Sequence, residues 1–153
     1  MSSITLDTTV LARGILPPGR RKKDAIYENE FRLHVIAKSI LSKVESKESI
    51  MNVPSVAIVE IAAVGARLTG KEERGIQASE YVKRHGNIIY DISLISEAVK
   101  VASQTKISGF DAIFITCAKV TNSTLITDDK KRYDAAIKVG VKAQLLRDIV
   151  IKG

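Results

Sequence analysis

Four carboxylates stand apart from the other charges of this chain: Asp7, Glu60, Asp111 and Asp129. Asp7 is the only charged side chain between Met1 and Ala12, Glu60 the only one between Val53 and Ala66, and Asp111 the only one between Ile107 and Ala118. Asp129 stands behind Asp128 at the close of the uncharged run Val120 to Thr127. A carboxylate in an apolar segment loses its hydration and must find a partner. Asp7, Glu60 and Asp111 have no Lys or Arg within their own segments. Either each acid is satisfied singly, or they converge on a metal ion. Two carboxylates about 4 Å apart repel by roughly 4 kcal/mol at an effective dielectric near 20, and four would protonate or splay without a counter-charge. One or two divalent cations resolve this. Beside a phosphodiester they would activate a water and stabilise the leaving oxygen of an in-line displacement.

The residue types limit which metal that could be. Two histidines and one cysteine cannot build a zinc site of the usual kind. Oxygen ligands remain, and these suit Mg²⁺ or Mn²⁺. The lone Cys117 excludes an internal disulfide and suits a reducing cytoplasm. The net charge of +7 attracts polyanions, nucleic acid first, although solubility alone is the plainer reading. A basic surface with secluded acids is what an enzyme of phosphodiesters needs. No apolar run reaches the roughly 18 residues of a membrane span, and MSSITLDTTVLARGILPPG lacks the basic start of a secretory signal. At 153 residues, 45% hydrophobic and 27% charged, residues 1–153 are expected to form one domain with a real core.

The elements that must position the acids can be read coarsely. Ser3 to Asp7 predicts a short buried strand. Pro17-Pro18-Gly19 breaks the following apolar segment, and Arg20 to Lys23 is a basic loop, either solvated or a phosphate-contacting arm. Asp24 caps a helix running to about Glu45. Ile50 to Pro54 predicts a strand. The apolar helix VAIVEIAAVGARL follows and ends near Gly70, then a polar helix from Lys71 to Arg84 that Gly86 stops. Asn87 to Tyr90 predicts a strand and Leu94 to Ser103 a helix. Asp111 opens the helix DAIFITCAKV, Ser123 to Thr127 forms a strand, Asp129 to Val139 a helix, and Ala143 to Leu146 the last strand. Short strands, apolar on both faces and alternating with helices, predict an α/β fold: a parallel sheet of four to five strands flanked by helices in a three-layer sandwich. Ligands of such folds bind at the carboxyl ends of the strands. Asp7 and Asp129 fall at strand ends, and Glu60 and Asp111 in the first turns of helices, so all four could face one edge.

Other acid-bearing motifs fit less well. LDTTV lacks the second Asp that aspartyl-phosphate phosphatases carry two residues after the first, since Thr9 stands there. A response-regulator receiver needs an early acidic pair and a late Lys, whereas here the acid pair is late. No GxxxxGK[ST] or GxGxxG is present, and no Ser or Cys has a suggestively placed His.

The set LDTTVL, PSVAIVEI, GFDAIFITCA and LITDDKK, in that order over about residues 3 to 147, resembles the PIN-domain ribonucleases, in particular the VapC-type toxins of toxin–antitoxin pairs. Each piece alone is weak, and the ordered set is specific. The resemblance implies a Mg²⁺- or Mn²⁺-dependent endoribonuclease, cytoplasmic and homodimeric, with a possible antitoxin partner and products ending in 5′-phosphate and 3′-hydroxyl. It implies that Asp7, Glu60, Asp111 and Asp129 are the catalytic, metal-binding acids, and it selects Asp129 over Asp128, which is left an outer role. It matches Thr8 and Thr127 to hydroxyl residues that bind phosphate or support the acids. An rRNA-processing PIN nuclease and a PIN-like module that binds RNA or protein without cutting are the alternatives. The basic stretch Gly19 to Lys23 lies outside the shared pattern.

Each residue also has a plainer role. Asp7 could cap the turn after its strand, Glu60 could pair with Arg67, and Asp111 could be the N-cap of its own helix. Asp91, a fifth lone acid in NIIYDISLIS, is expected to cap the helix after it. Lys130, Lys131 and Arg132 could hold an RNA backbone or simply form a solvated helix face. Tyr27, Phe31 and Phe114 are expected in the core, His34 on a helix surface, His85 beside a loop, and Cys117 buried and inert. Asp7→Asn and Asp111→Asn are each expected to abolish cleavage and leave the fold intact.

Overall fold

Short apolar strands leading straight into helices produce a parallel sheet, because each return to the same edge needs a helical crossover. The structure, a computed structural model, describes residues 2–19 and 22–151. Its sheet has five parallel strands in the order β3-β2-β1-β4-β5: β1 (Ser2–Leu6), β2 (Ser49–Pro54), β3 (Gly86–Ile89), β4 (Thr124–Thr127) and β5 (Ala143–Leu145). The helices are α1 (Thr8–Ile15), α2 (Ala25–Glu45), α3 (Val56–Thr69), α4 (Glu72–His85), α5 (Ile95–Thr105), α6 (Gly109–Val120) and α7 (Lys130–Lys138). Single 3-10 turns occupy Asp91–Ser93 and Leu146–Asp148. Arg20 and Arg21 of the basic stretch lie outside the described residues, and Lys22 and Lys23 are exposed.

The strand order dictates where a site can lie. From β1 the chain steps to β2 and then β3 in one direction, then returns past β1 to β4 and continues to β5. Right-handed crossovers place α1 to α4 on one face and α5 to α7 on the other. The packing agrees: α1 rests on α2 and α3, α3 on α4, α5 on α6, and α6 on α7. The direction therefore reverses between β1 and β4, which opens a crevice at the carboxyl ends of those two strands. The core fills both sides of the sheet beneath it. Leu6, Met51, Val53 and Leu125 of the strands are fully buried, with Val10, Leu11 and Ile61 from the α1–α4 side and Phe114 and Ile115 from the other.

Three local features differ from the sequence reading. Gly86 does end α4, and it is also the first residue of β3. A Cβ there would stand 2.8 Å from the Val82 carbonyl and 2.9 Å from Val53 Cγ2, so the helix-to-strand passage leaves no room for a side chain. Phe31 is not in the core. It is 47% exposed, with its ring stacked 6.1 Å from that of Tyr27, because the period of α2 turns it outward beside Leu33. Asp91 caps α3 rather than the helix after it: its Oδ1 accepts from Val56 N at 3.3 Å, and its own N–H donates to Ser55 Oγ at 3.1 Å. The pairing of β2 with β3 brings the two strand ends together and makes that exchange possible.

Candidate active site

Asp7 follows the last residue of β1 and is fully buried. Its Oδ1 accepts from Val10 N at 2.9 Å, which caps α1. Its Oδ2 accepts from the Thr127 hydroxyl and from Arg132 Nη1, the latter at 2.5 Å. Thr127 is the last residue of β4, on the other side of the crevice, and its Oγ1 also accepts from Asp129 N at 3.1 Å. One hydroxyl thus ties the two strand ends together across the reversal point.

Asp111 reaches the same place from α6. It is not the N-cap of that helix. Ser108 is, its Oγ accepting from Asp111 N at 3.2 Å. This frees the Asp111 carboxylate in the first helical turn, where the helix dipole favours an acid. Its Oδ1 accepts from Arg132 Nε at 3.0 Å and from Arg132 Nη2. A single guanidinium, its side chain only 14% exposed, therefore bridges Asp7 and Asp111 and lies 5.7 Å from the centre of the Phe114 ring. Arg132 keeps its proton more firmly than usual. Burial opposes its charge, and Asp7 and Asp111 outweigh that.

Glu60 lies in the second turn of α3 rather than the first, and no ion pair with Arg67 forms. It nonetheless reaches the cluster. Its carboxyl is pushed above the ordinary carboxylate range, first by burial, with Asp7 and Asp111 adding to the rise and the Thr8 hydroxyl and Arg132 opposing it. Thr8 Oγ1 is buried, and no partner lies within ordinary hydrogen-bond geometry of it, so its influence on Glu60 is a close electrostatic contact rather than a formed bond.

The late acid pair is held at the rim. Asp129 is the N-cap of α7, its Oδ1 accepting from Lys131 N at 2.9 Å and Arg132 N at 3.3 Å. Asp128 points elsewhere, to Arg13 at 3.3 Å and Arg147 at 3.6 Å. Among the described residues no three Asp, Glu, His or Cys side chains stand close enough to share one ion. The chemistry of the donors still fits a hard divalent cation. All are oxygens, the Asp7 and Asp111 carboxylates already converge on one positive group, and a buried hydroxyl beside them lacks a partner.

Sequence reasoning missed Arg132 as a member of the cluster and assigned it with Lys130 and Lys131 to the surface. The structure leaves the two lysines exposed, Lys130 pairing with Asp134 at 2.7 Å, and turns Arg132 inward. The signal was present in the helical period. Arg132, Ala135, Ala136 and Val139 share one face of α7, and the two alanines are buried. Cys117 is buried as expected, and burial pushes its thiol up to about 12. His34 is half-buried, its Nδ1 lying 2.6 Å from the Arg13 carbonyl oxygen, and His85 packs on Tyr81.

A switch-point crevice with a pair of carboxylates on one guanidinium, one carboxylate at the end of β1 and one from α6, defines the candidate site of this parallel α/β domain. The PIN domain family model matches residues 4–138, and the chain belongs to that family, whose members are generally nucleases. Its fold is similar to that of FitAcB from Neisseria gonorrhoeae (TM-score 0.62, 17% identity, 95% of this chain and 99% of that one). It is also similar to VapBC2 from Rickettsia felis, bound to a DNA fragment from their promoter (TM-score 0.57, 16% identity, 94% and 98% covered). A toxin–antitoxin complex from Klebsiella pneumoniae matches with TM-score 0.56 and 25% identity over 85% of this chain and 89% of that one. Among curated protein sequences none matches. No helix of the described residues is long and apolar enough to cross a membrane.

Proposed function

We propose that this chain, residues 1–153 acting as one domain, is a Mg²⁺- or Mn²⁺-dependent endoribonuclease and the toxin of a VapBC-type pair. The single observation that carries the reading is the convergence of Asp7 and Asp111 on one guanidinium, that of Arg132, at the sheet's reversal point, with Glu60 beside them. Family membership and the toxin–antitoxin context of structures with the same fold support it. So does the net charge of +7, which favours an RNA substrate and opposes the local charge of the acids. The homodimer, the antitoxin partner and a cytoplasmic location belong to the same proposal.

A divalent ion bound there supplies polarised water and screens the charge of a phosphodiester. Asp7 and Asp111 are the residues that would hold it, with Glu60 and Asp129 completing the set from α3 and from the rim. Thr127 orients Asp7 by donating to Oδ2, so the carboxylate keeps one arrangement as its partners change. Glu60, beside Asp7 and Asp111, would help to hold the ion or accept a proton from water. Thr8 Oγ1, buried beside Glu60, would support that carboxyl. Lys131 at the exposed start of α7 would lie along the RNA backbone.

The test is cleavage of end-labelled RNA by the purified protein in Mg²⁺, in Mn²⁺ and in EDTA, with Asp111→Asn as the inactive control. Metal-dependent products with 5′-phosphate ends, lost in Asp111→Asn, are expected. Equal cleavage by wild type and Asp111→Asn in Mg²⁺ would sink the proposal. One observation favours a second reading, a PIN-like module that binds without cutting: Arg132 already pairs with both Asp7 and Asp111. That reading expects no change in stability on adding Mn²⁺, whereas a functional metal site gains stability through linkage.

A further inference from the structure

Arg132 is placed at the centre of the acid cluster, and three features hold it there. Its Nη1 takes Asp7 and its Nε and Nη2 take Asp111, so one planar fork spans two carboxylates, one at the end of β1 and one from α6. A lysine ammonium, a compact charge on a flexible stem, lacks the rigid planar fork that makes this two-sided contact. Behind the fork lies the ring of Phe114, itself fully buried. Below it, the backbone N–H of Arg132 is fixed by the Asp129 cap, so the start of α7 and the side chain are anchored together. The oxygens that Arg132 occupies are the ones that would bind a cation.

The charges do not balance. Asp7, Asp111 and Glu60 bring three carboxylates, and Arg132 is the cation among them. A divalent ion would neutralise the group better, but it cannot take Asp7 Oδ2 and Asp111 Oδ1 while the guanidinium bonds both. We propose that Arg132 is an internal competitor for the metal. It holds the site closed in the metal-free protein and leaves Asp7 and Asp111 when the ion loads, thereby setting how much metal the enzyme needs. The proposal rests on the metal-site reading above and adds to it a positioning residue that this chain carries in α7.

The experiment is Mn²⁺ binding to the metal-stripped full chain, followed by the electron paramagnetic resonance signal of free Mn²⁺, in wild type, Arg132→Gln, Arg132→Lys and Asp111→Asn. Removing the competitor is expected to tighten Mn²⁺ binding about tenfold or more in Arg132→Gln, the scale of breaking one charge-assisted contact. Asp111→Asn is expected to weaken it. Unchanged or weaker binding in Arg132→Gln, with Asp111→Asn still impaired, overturns the proposal and makes Arg132 a support of the acids. If Asp111→Asn binds as wild type does, the metal site itself is wrong and the proposal falls with it. Should Arg132→Gln not fold without metal, Arg132→Lys serves in its place. Its melting temperature is expected to rise more on adding Mn²⁺ than that of wild type, and an equal or smaller rise counts against the proposal.

Discussion

Asp7→Asn tests how much of the crevice depends on one buried charge. Asp7 is wholly inaccessible and accepts from three donors: the Val10 amide, the Thr127 hydroxyl and the Arg132 guanidinium. Asparagine has the same shape but only one acceptor oxygen. With that oxygen toward Val10 the cap survives, and the new amide group faces two donors. Flipped, it keeps those two and loses the cap. The cost lies between about 1 kcal/mol for a lost cap and the 3–5 kcal/mol of a broken buried ion pair. Relief of the repulsion from Glu60 offsets part of it, which leaves roughly 2–4 kcal/mol. At this chain length each kcal/mol moves the melting temperature by about 2–4 °C, so a fall on the order of 10 °C is expected. Asp111, with a side chain 26% exposed and no capping duty, should lose only about 1 kcal/mol on conversion to Asn. Thermal and urea unfolding in EDTA at neutral pH measure both. A double-mutant cycle of Asp7→Asn with Arg132→Gln should show coupling of at least about 1 kcal/mol. An Asp7→Asn melting point within 2 °C or so of wild type, or an Asp111→Asn loss as large, would refute the account. The sequence reading expects both variants to keep the fold. The burial of Asp7 separates them and makes Asp111→Asn the cleaner probe of activity.

Two further expectations concern the other lone acids. The folded pKa of Glu60 is raised above the 4.5 of a free side chain, so the fold prefers the protonated form. Stability is therefore lost as pH rises from that value through the folded pKa. Glu60→Gln in EDTA should match wild type near pH 4 and melt higher at neutral pH, and the opposite sign in a pH series of melting curves would contradict the assigned burial. Asp91→Ala removes the cap of α3 and should cost about 1 kcal/mol in urea unfolding, without altering Mn²⁺ binding. A change in Mn²⁺ affinity would show that Asp91 belongs to the site.

What the sequence alone determined follows from local physics. Apolar runs of four to six residues alternating with helical periods can only bury both sheet faces, so the parallel α/β architecture was legible. Asp24 could be read as a cap because it sits just before a periodic segment. The isolation of Asp7, Glu60 and Asp111 was legible too, since seclusion from other charge is a one-dimensional property. Tertiary structure decided the rest. Asp91 capped a helix 35 positions earlier because two strands pair, a fact with no local trace. Asp111 lost its capping role to Ser108 three residues before it, which freed its carboxylate for the crevice. The partner of the lone acids was also remote. Arg132 stands 125 positions from Asp7 and 21 from Asp111, and only the reversal of strand order between β1 and β4 brings the three together. A charge's neighbours along the chain are set by sequence, but its neighbours in space are set by how the strands are ordered.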